Sequence, residues 1–173
     1  MAGWHEPTDP GLGRRAQALG PHDPWGAAMC FTLDRLLARP QLERLLRAND
    51  VVVTDRSFYS TLAYQASALP PFKARRLVLL ETGASAGPDR VIWLRLDPAR
   101  ALDRVGTRGV RRAPLERLRI LRRVHRAYAR LARRHHFVIL DARAPVPQLL
   151  TRALRVVAAA RRRRPRAPAR QRG

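Results

Sequence analysis

The chain has 173 residues, an apolar share of 46%, one cysteine and a formal net charge of +22. That length gives one domain with room for a real core, and a lone Cys30 excludes an internal disulfide framework and fits a reducing compartment. Glu6, Asp9 and two prolines among the first ten residues exclude a secretory leader, and no apolar run approaches a membrane span, so a cytoplasmic location is expected.

Seven of the arginines fall at 161–164, 166, 170 and 172, interrupted by Pro165 and Pro168. That composition predicts a folded domain over 1–160 and a disordered basic tail over 161–173. Such a tail allows non-specific attraction to nucleic acid, in which case binding would weaken steeply with salt and vanish when the tail is removed. The remaining excess is scattered arginine with Lys73 the only lysine, which reads as composition rather than as a binding patch.

Taken in order, residues 1–24 are punctuated by prolines and glycines and read as irregular, with one short helical turn near 14–19. The segment 25–48 is helical in pattern, with Phe31, Leu33, Leu36, Leu37, Leu42, Leu45 and Leu46 as an apolar face and a bend or break at Pro40. Val51, Val52 and Val53 read as a short strand covered on both faces. Asp55 and Arg56 follow at its carboxyl end, then Tyr59, Ser60, Thr61 and Tyr64. Two readings of the charge pair stay open. It marks a ligand site at the strand's end, or Asp55 caps the next helix and Arg56 pairs with it on the surface.

Helices are expected over 62–68 and 73–82, a strand over 91–96, and a helix over 98–105 opened by Asp97 and Pro98. Residues 104–112 hold two glycines and four arginines, a mobile cationic loop by composition. A long helix from 114 to 134 carries Leu118, Leu121, Val124, Tyr128 and Leu131 as one buried stripe. A strand over 136–140 and a helix over 148–159 complete the chain. His125, His135 and His136 show no metal-ligand spacing, and no metal is assigned to a protein ligand. Apolar strands alternating with helices, each strand followed by an aspartate, predict an α/β fold with a doubly wound parallel sheet.

Several segments, in order, resemble one family. Asp55-Arg56 through Leu62-Ala63-Tyr64-Gln65 resembles the thymidylate kinase signature. Glu6-Pro7-Thr8-Asp9 with Leu12-Gly13, the Phe31-Thr32-Leu33-Asp34-Arg35 run, Pro88-Asp89 to Asp97-Pro98, Ala101 to Arg104, Arg108-Gly109 and Phe137 to Asp141 resemble further parts of it. The resemblance implies a P-loop-kinase-like fold, transfer of the ATP γ-phosphate to dTMP with Mg2+, a role in dTTP biosynthesis, and a possible homodimer through the helices at 25–48 and 62–82. Phe31 would then stack on thymine, and Arg35 would contact base or phosphate. Arg56 would clamp phosphates, with Asp55 orienting metal, water or Arg56 itself. Ser60 or Thr61 would bond the base edge, and Tyr64 would crowd the 2′ position of the sugar. Arg104, Arg108, Arg111 and Arg112 would belong to a lid.

The pattern departs from the family at Ser57, where Tyr or His is usual, and at His5, where Arg is usual. No Gly-x-x-x-x-Gly-Lys-Ser/Thr run occurs in the sequence. The resemblance therefore implies that the first strand, phosphate loop, first helix and most of the second strand are not in this chain. Strands 51–54 and 91–96 should have unpaired inner edges or pair with each other. The chain as given is expected to be inactive, as a kinase lacking its donor loop or as a degenerate relative that still binds nucleotide.

Overall fold

The computed structural model describes residues 1–20, 22–85, 87–106 and 118–163. The amino-terminal segment is more ordered than its prolines and glycines suggest. Strand β1 spans Ala2–His5, and helix α1 spans Pro10–Leu19. Asp9 caps α1 by accepting from the Leu12 amide at 2.7 Å, and Pro10 supplies the first helical position without a stranded donor. Gly13 lets α1 sit against Pro7, because a Cβ there would meet Pro7 Cγ at 2.7 Å. The strand at 2–5 and the ten-residue α1 correct the expectation that residues 1–24 are irregular with one short helical turn.

Helix α2, Pro24–Ala48, runs unbroken through Pro40. The proline lies on an exposed face, where water can satisfy the carbonyl left without its amide donor. Its buried face is Ala27, Ala28, Thr32, Asp34, Arg35 and Ala38, while Leu33, Leu36, Leu37 and Leu46 are exposed. The leucine pattern thus names the wrong face as core, because small and ionic residues occupy the close contacts.

Strand β2, Val52–Asp55, leads into α3, Phe58–Tyr64, a 3-10 turn at Ala66–Ala68, and α4, Pro71–Ala84. Strand β3, Ile92–Arg95, is followed by α5, Pro98–Gly106, where Asp97 accepts from the Ala99 amide at 2.9 Å. Helix α6, Leu118–Arg134, closes where Phe137 N–H donates to the Ala132 carbonyl across His136, whose φ of 51° is left-handed. Strand β4, Val138–Asp141, and α7, Val146–Arg163, complete the order. The boundary expected at 160 falls inside α7. Arg161, read as tail, is helical and pairs with Asp50 at 2.9 Å.

The strands are parallel but form two pairs, β1 with β2 and β3 with β4. Among the described residues no strand joins β2 to β3, so the single continuous sheet is replaced by two halves. The strands are also not covered on both faces. Val53 is 49% exposed and Leu94 55% exposed, and Ile139 is exposed as well. The core lies between helices instead. Ala28, Phe58, Leu62 and Leu77 form one buried cluster, and Ala63, Val124 and Ala127 a second. Helix α3 contributes to both and so sits at the centre of the packing.

Candidate functional site

The carboxyl ends of β1 and β2 set the first part of the site. Register places His5 opposite Asp55, and His5 Nδ1 lies 3.3 Å from Asp55 Oδ2 on the surface. Asp55 therefore does not cap the following helix. That position belongs to Ser57, whose Oγ accepts from the Tyr59 amide at 3.4 Å. Between them Arg56 takes a φ of 72°, a left-handed conformation that costs a non-glycine residue about 1 kcal/mol or more. The turn aims the chain from β2 into α3, and strain of this kind clusters where function fixes a side chain.

Asp55, Arg56, Ser60 and Tyr64 line one side of a cleft of about 300 Å3. The opposite side comes from β3 and α6, with Trp93, Leu94, Leu121, His125 and Tyr128. The rings there are ordered against one another. Trp93 stacks on Tyr128 at 5.8 Å between centroids and lies 5.2 Å from His125. Tyr128 Oη donates to Ser60 Oγ at 3.0 Å, joining the two walls. Burial pushes the Tyr128 phenol above its ordinary range, partly offset by the Ser60 bond, so it stays protonated and a donor at neutral pH. The cleft thus joins a cation and a carboxylate at one end to an aromatic wall, a combination suited to an anionic, aromatic ligand.

Behind α3 lies a buried ionic network. Arg35, 9% exposed, donates from Nε to Glu6 Oε2 at 2.8 Å, from Nη1 to Glu81 Oε2 at 2.5 Å, and from Nη2 to Thr61 Oγ1 at 2.5 Å. Thr32 Oγ1 donates to Glu81 Oε1 at 2.8 Å, and Glu81 is completely buried. Burial raises the Glu81 carboxyl above its ordinary value, and the attraction of Arg35 only partly opposes this. Next to it Asp34 accepts from the Thr8 amide and hydroxyl and from the Asp9 amide, tying α2 to the start of α1.

The expected site residues are therefore divided. Asp55, Arg56, Ser60 and Tyr64 meet in the cleft. Arg35 and Thr61 are bonded within the network, Phe31 is half-buried on α2, and neither Phe31 nor Arg35 lines the cleft. Arg104 is exposed at the end of α5 and donates to the Ala142 carbonyl at 3.1 Å. Arg108, Arg111 and Arg112 lie outside the described residues. Trp93, His125, Glu81 and Thr32 are additions that sequence reasoning missed. A lone acid directly after the apolar run Leu77 to Leu80 was the available signal for Glu81. Tyr128 was visible only as one member of a core stripe.

A parallel α/β arrangement with charged and aromatic residues gathered at a strand's carboxyl end places the cleft where ligands bind in open α/β sheets. The family model for thymidylate kinase matches residues 5–153. A probable thymidylate kinase of Pyrobaculum calidifontis is 32% identical over 149 residues, covering 83% of this chain and 75% of that protein. A thymidylate kinase of Synechococcus sp. strain RCC307 is 32% identical over 154 residues, covering 83% and 72%. One from Archaeoglobus fulgidus, also described as probable, is 29% identical over 157 residues, covering 88% and 76%. The chain belongs to the thymidylate kinase family, a family of phosphotransferases with a P-loop-kinase α/β fold.

Proposed function

We propose that this chain forms the dTMP side of a site for transfer of phosphate from ATP, yielding dTDP. The observation that carries the reading is the meeting of Asp55, Arg56, Ser60 and Tyr64 in one cleft at the carboxyl end of β2. In this reading Arg56 holds substrate phosphate, with Asp55 beside it. Ser60 takes the base edge, Tyr64 limits the sugar to deoxyribose, and Phe31 stacks on the base. Arg35 reaches substrate only through the second N–H of each Nη, since its other donors serve Glu6, Glu81 and Thr61. Arg104, Arg108, Arg111 and Arg112 supply lid cations. Phosphoryl transfer needs such positioning and positive charge more than covalent help from the protein.

The donor side does not fit in the same way. ATP with Mg2+ calls for a run of backbone amides and a lysine around its phosphates, and the sequence has no Gly-rich loop ending in Gly-Lys-Ser/Thr. The 173-residue chain is therefore proposed to bind dTMP with negligible turnover. Exposed Leu33, Leu36 and Leu37 on α2 and Phe72, Leu79 and Leu80 on α4 support a homodimer through these helices. Among the described residues no helix is long and apolar enough to cross a membrane, and a cytoplasmic location is proposed.

Calorimetric titration of the purified 173-residue chain with dTMP tests the reading. Saturable binding without ATP hydrolysis is expected. Absence of binding at millimolar dTMP would reject it, and measurable dTDP formation would reject the proposed inactivity.

A further inference from the structure

Glu81 lies on α4, away from the cleft, and no role in the reaction attaches to it so far. Yet it is completely buried, and both of its carboxylate oxygens accept from α2. Oε1 accepts from Thr32 on α2, and Oε2 accepts from Arg35, also on α2. Arg35 in turn donates to Thr61 on α3, which is 2% exposed. Thr61 is the residue after Ser60 and one turn before Tyr64. One face of α3 is thus pinned from behind while the adjacent face lines the cleft.

A short helix of seven residues, entered through the strained Arg56 two residues before it, has little intrinsic stability of its own. Its position must come from tertiary contacts. The apolar ones, Phe58 and Leu62 against Ala28 and Leu77, are non-directional and allow rotation about the helix axis. The Thr61 bond is directional and fixes that rotation.

We propose that Glu81 is a positioning residue for the cleft. Its Oε2 holds Arg35 while Oε1 is held by Thr32, and Arg35 through Thr61 holds α3 so that Ser60, Tyr64 and Arg56 face the ligand. The role belongs to the acceptor atoms rather than to a negative charge, so Gln should fill it and Leu should not. Gln keeps an oxygen for Arg35 Nη1 and an amide able to pair with Thr32 Oγ1.

The test uses the full 173-residue chain and amide hydrogen exchange at 58–64, referred to α7 in the same molecule. Glu81→Leu is expected to speed exchange of α3 about tenfold relative to α7, and Glu81→Gln to leave it within about threefold of the unmodified chain. Should Glu81→Leu fail to fold, Thr61→Val cuts the same link while keeping the side-chain shape, and is read by the same criterion. Leu140→Ala, in β4, is the control for general destabilisation. The proposal is overturned if α3 exchange is unchanged, if Leu140→Ala loosens α3 equally, or if Gln loosens it as much as Leu. A second arm rests on the dTMP reading. Glu81→Leu should weaken dTMP binding about tenfold, Leu140→Ala should not, and Glu81→Gln should restore it. Absence of dTMP binding by the unmodified chain would reject that reading alone, because the exchange measurement still decides the role of Glu81.

Discussion

Around β1 and β2 the molecule buries polar groups and pairs them; around β3 and β4 the buried side chains, among the described residues, are apolar, and both halves leave further apolar groups exposed. The first half holds Glu6, Arg35, Thr61, Thr32 and Glu81 in one network, with Asp34 beside it fastening Thr8 and Asp9. In the second half, Leu94 and Ile139 stand open on the strands, and Val146, Leu150 and Leu154 on α7. Its notable ion pair, Arg143 with Asp141, is on the surface. The difference separates two sources of precision. Directional buried bonds fix the geometry behind the cleft, whereas the other half relies on non-directional contact and contributes an aromatic wall.

The sharpest way to break this contrast is Arg35→Met. It leaves Glu6 and Glu81 facing each other in the interior without their cation, and a loss of about 3–5 kcal/mol is expected in urea unfolding. A loss below about 1 kcal/mol would mean that the network is not what orders this half. Next, Leu77→Ala and Leu94→Ala delete the same atoms from opposite environments. Leu77 is fully buried against α3 and should cost about 3 kcal/mol, whereas Leu94 is largely exposed and should cost under about 1 kcal/mol. Equal losses would erase the distinction.

Tyr128→Phe removes the hydroxyl that joins the two walls through Ser60. It should cost about 1 kcal/mol and loosen the cleft without unfolding either half, which near-ultraviolet circular dichroism would register as altered aromatic signals. Arg56→Gly probes strain directly. Relief of the left-handed conformation should stabilise the chain by about 0.5–1 kcal/mol while dTMP binding is lost. A loss of stability would show that Arg56 is held by contacts stronger than its backbone strain.

The smallest effect concerns pH. Burial raises the Glu81 carboxyl in the fold above its ordinary value of 4.5, despite the nearby Arg35 and with Glu6 adding to the rise. Its contribution to stability is therefore present below pH 4.5 and declines as pH rises through the raised value. Urea midpoints measured from pH 4.5 to 8 should show this decline, and Glu81→Gln, which cannot ionise, should flatten it. Asp141 behaves oppositely. The Arg143 guanidinium holds its carboxyl well below the usual range, so its contribution is present above about pH 3.8 and is lost on acidification, with little effect because the pair is exposed.

Much of the helix and strand order was legible in the sequence. Asp97-Pro98 opens α5, the triple valine carries β2, and the strand expected at 91–96 is β3. Among the candidate site residues, Asp55, Arg56, Ser60 and Tyr64 could be nominated because they fall in the segment from Asp55 to Gln65 that resembles the thymidylate kinase signature. Strand β1 was not legible, since Ala2, Gly3 and Trp4 have no strand pattern and gain it only by pairing with Val52 to Thr54. The core face of α2 was also hidden. Periodicity favours its leucines, but packing close to α1 and α4 requires Ala27, Ala28 and Ala38, with Arg35 buried by virtue of partners distant in sequence.

The sequence by itself therefore determined most of the local elements after β1, the family and the residues delivered to the end of β2, because turns, caps and strand ends are set by neighbours along the chain. Only the tertiary structure decided that Arg35 and Thr61 turn inward to Glu81, that Trp93 and Tyr128 become a wall opposite Arg56, and that the strands form two pairs. Those outcomes depend on pairings such as Arg35 with Glu81, 46 residues apart, and Tyr128 with Ser60, 68 apart. No local pattern encodes such a pairing; its geometry exists only once the helices have packed.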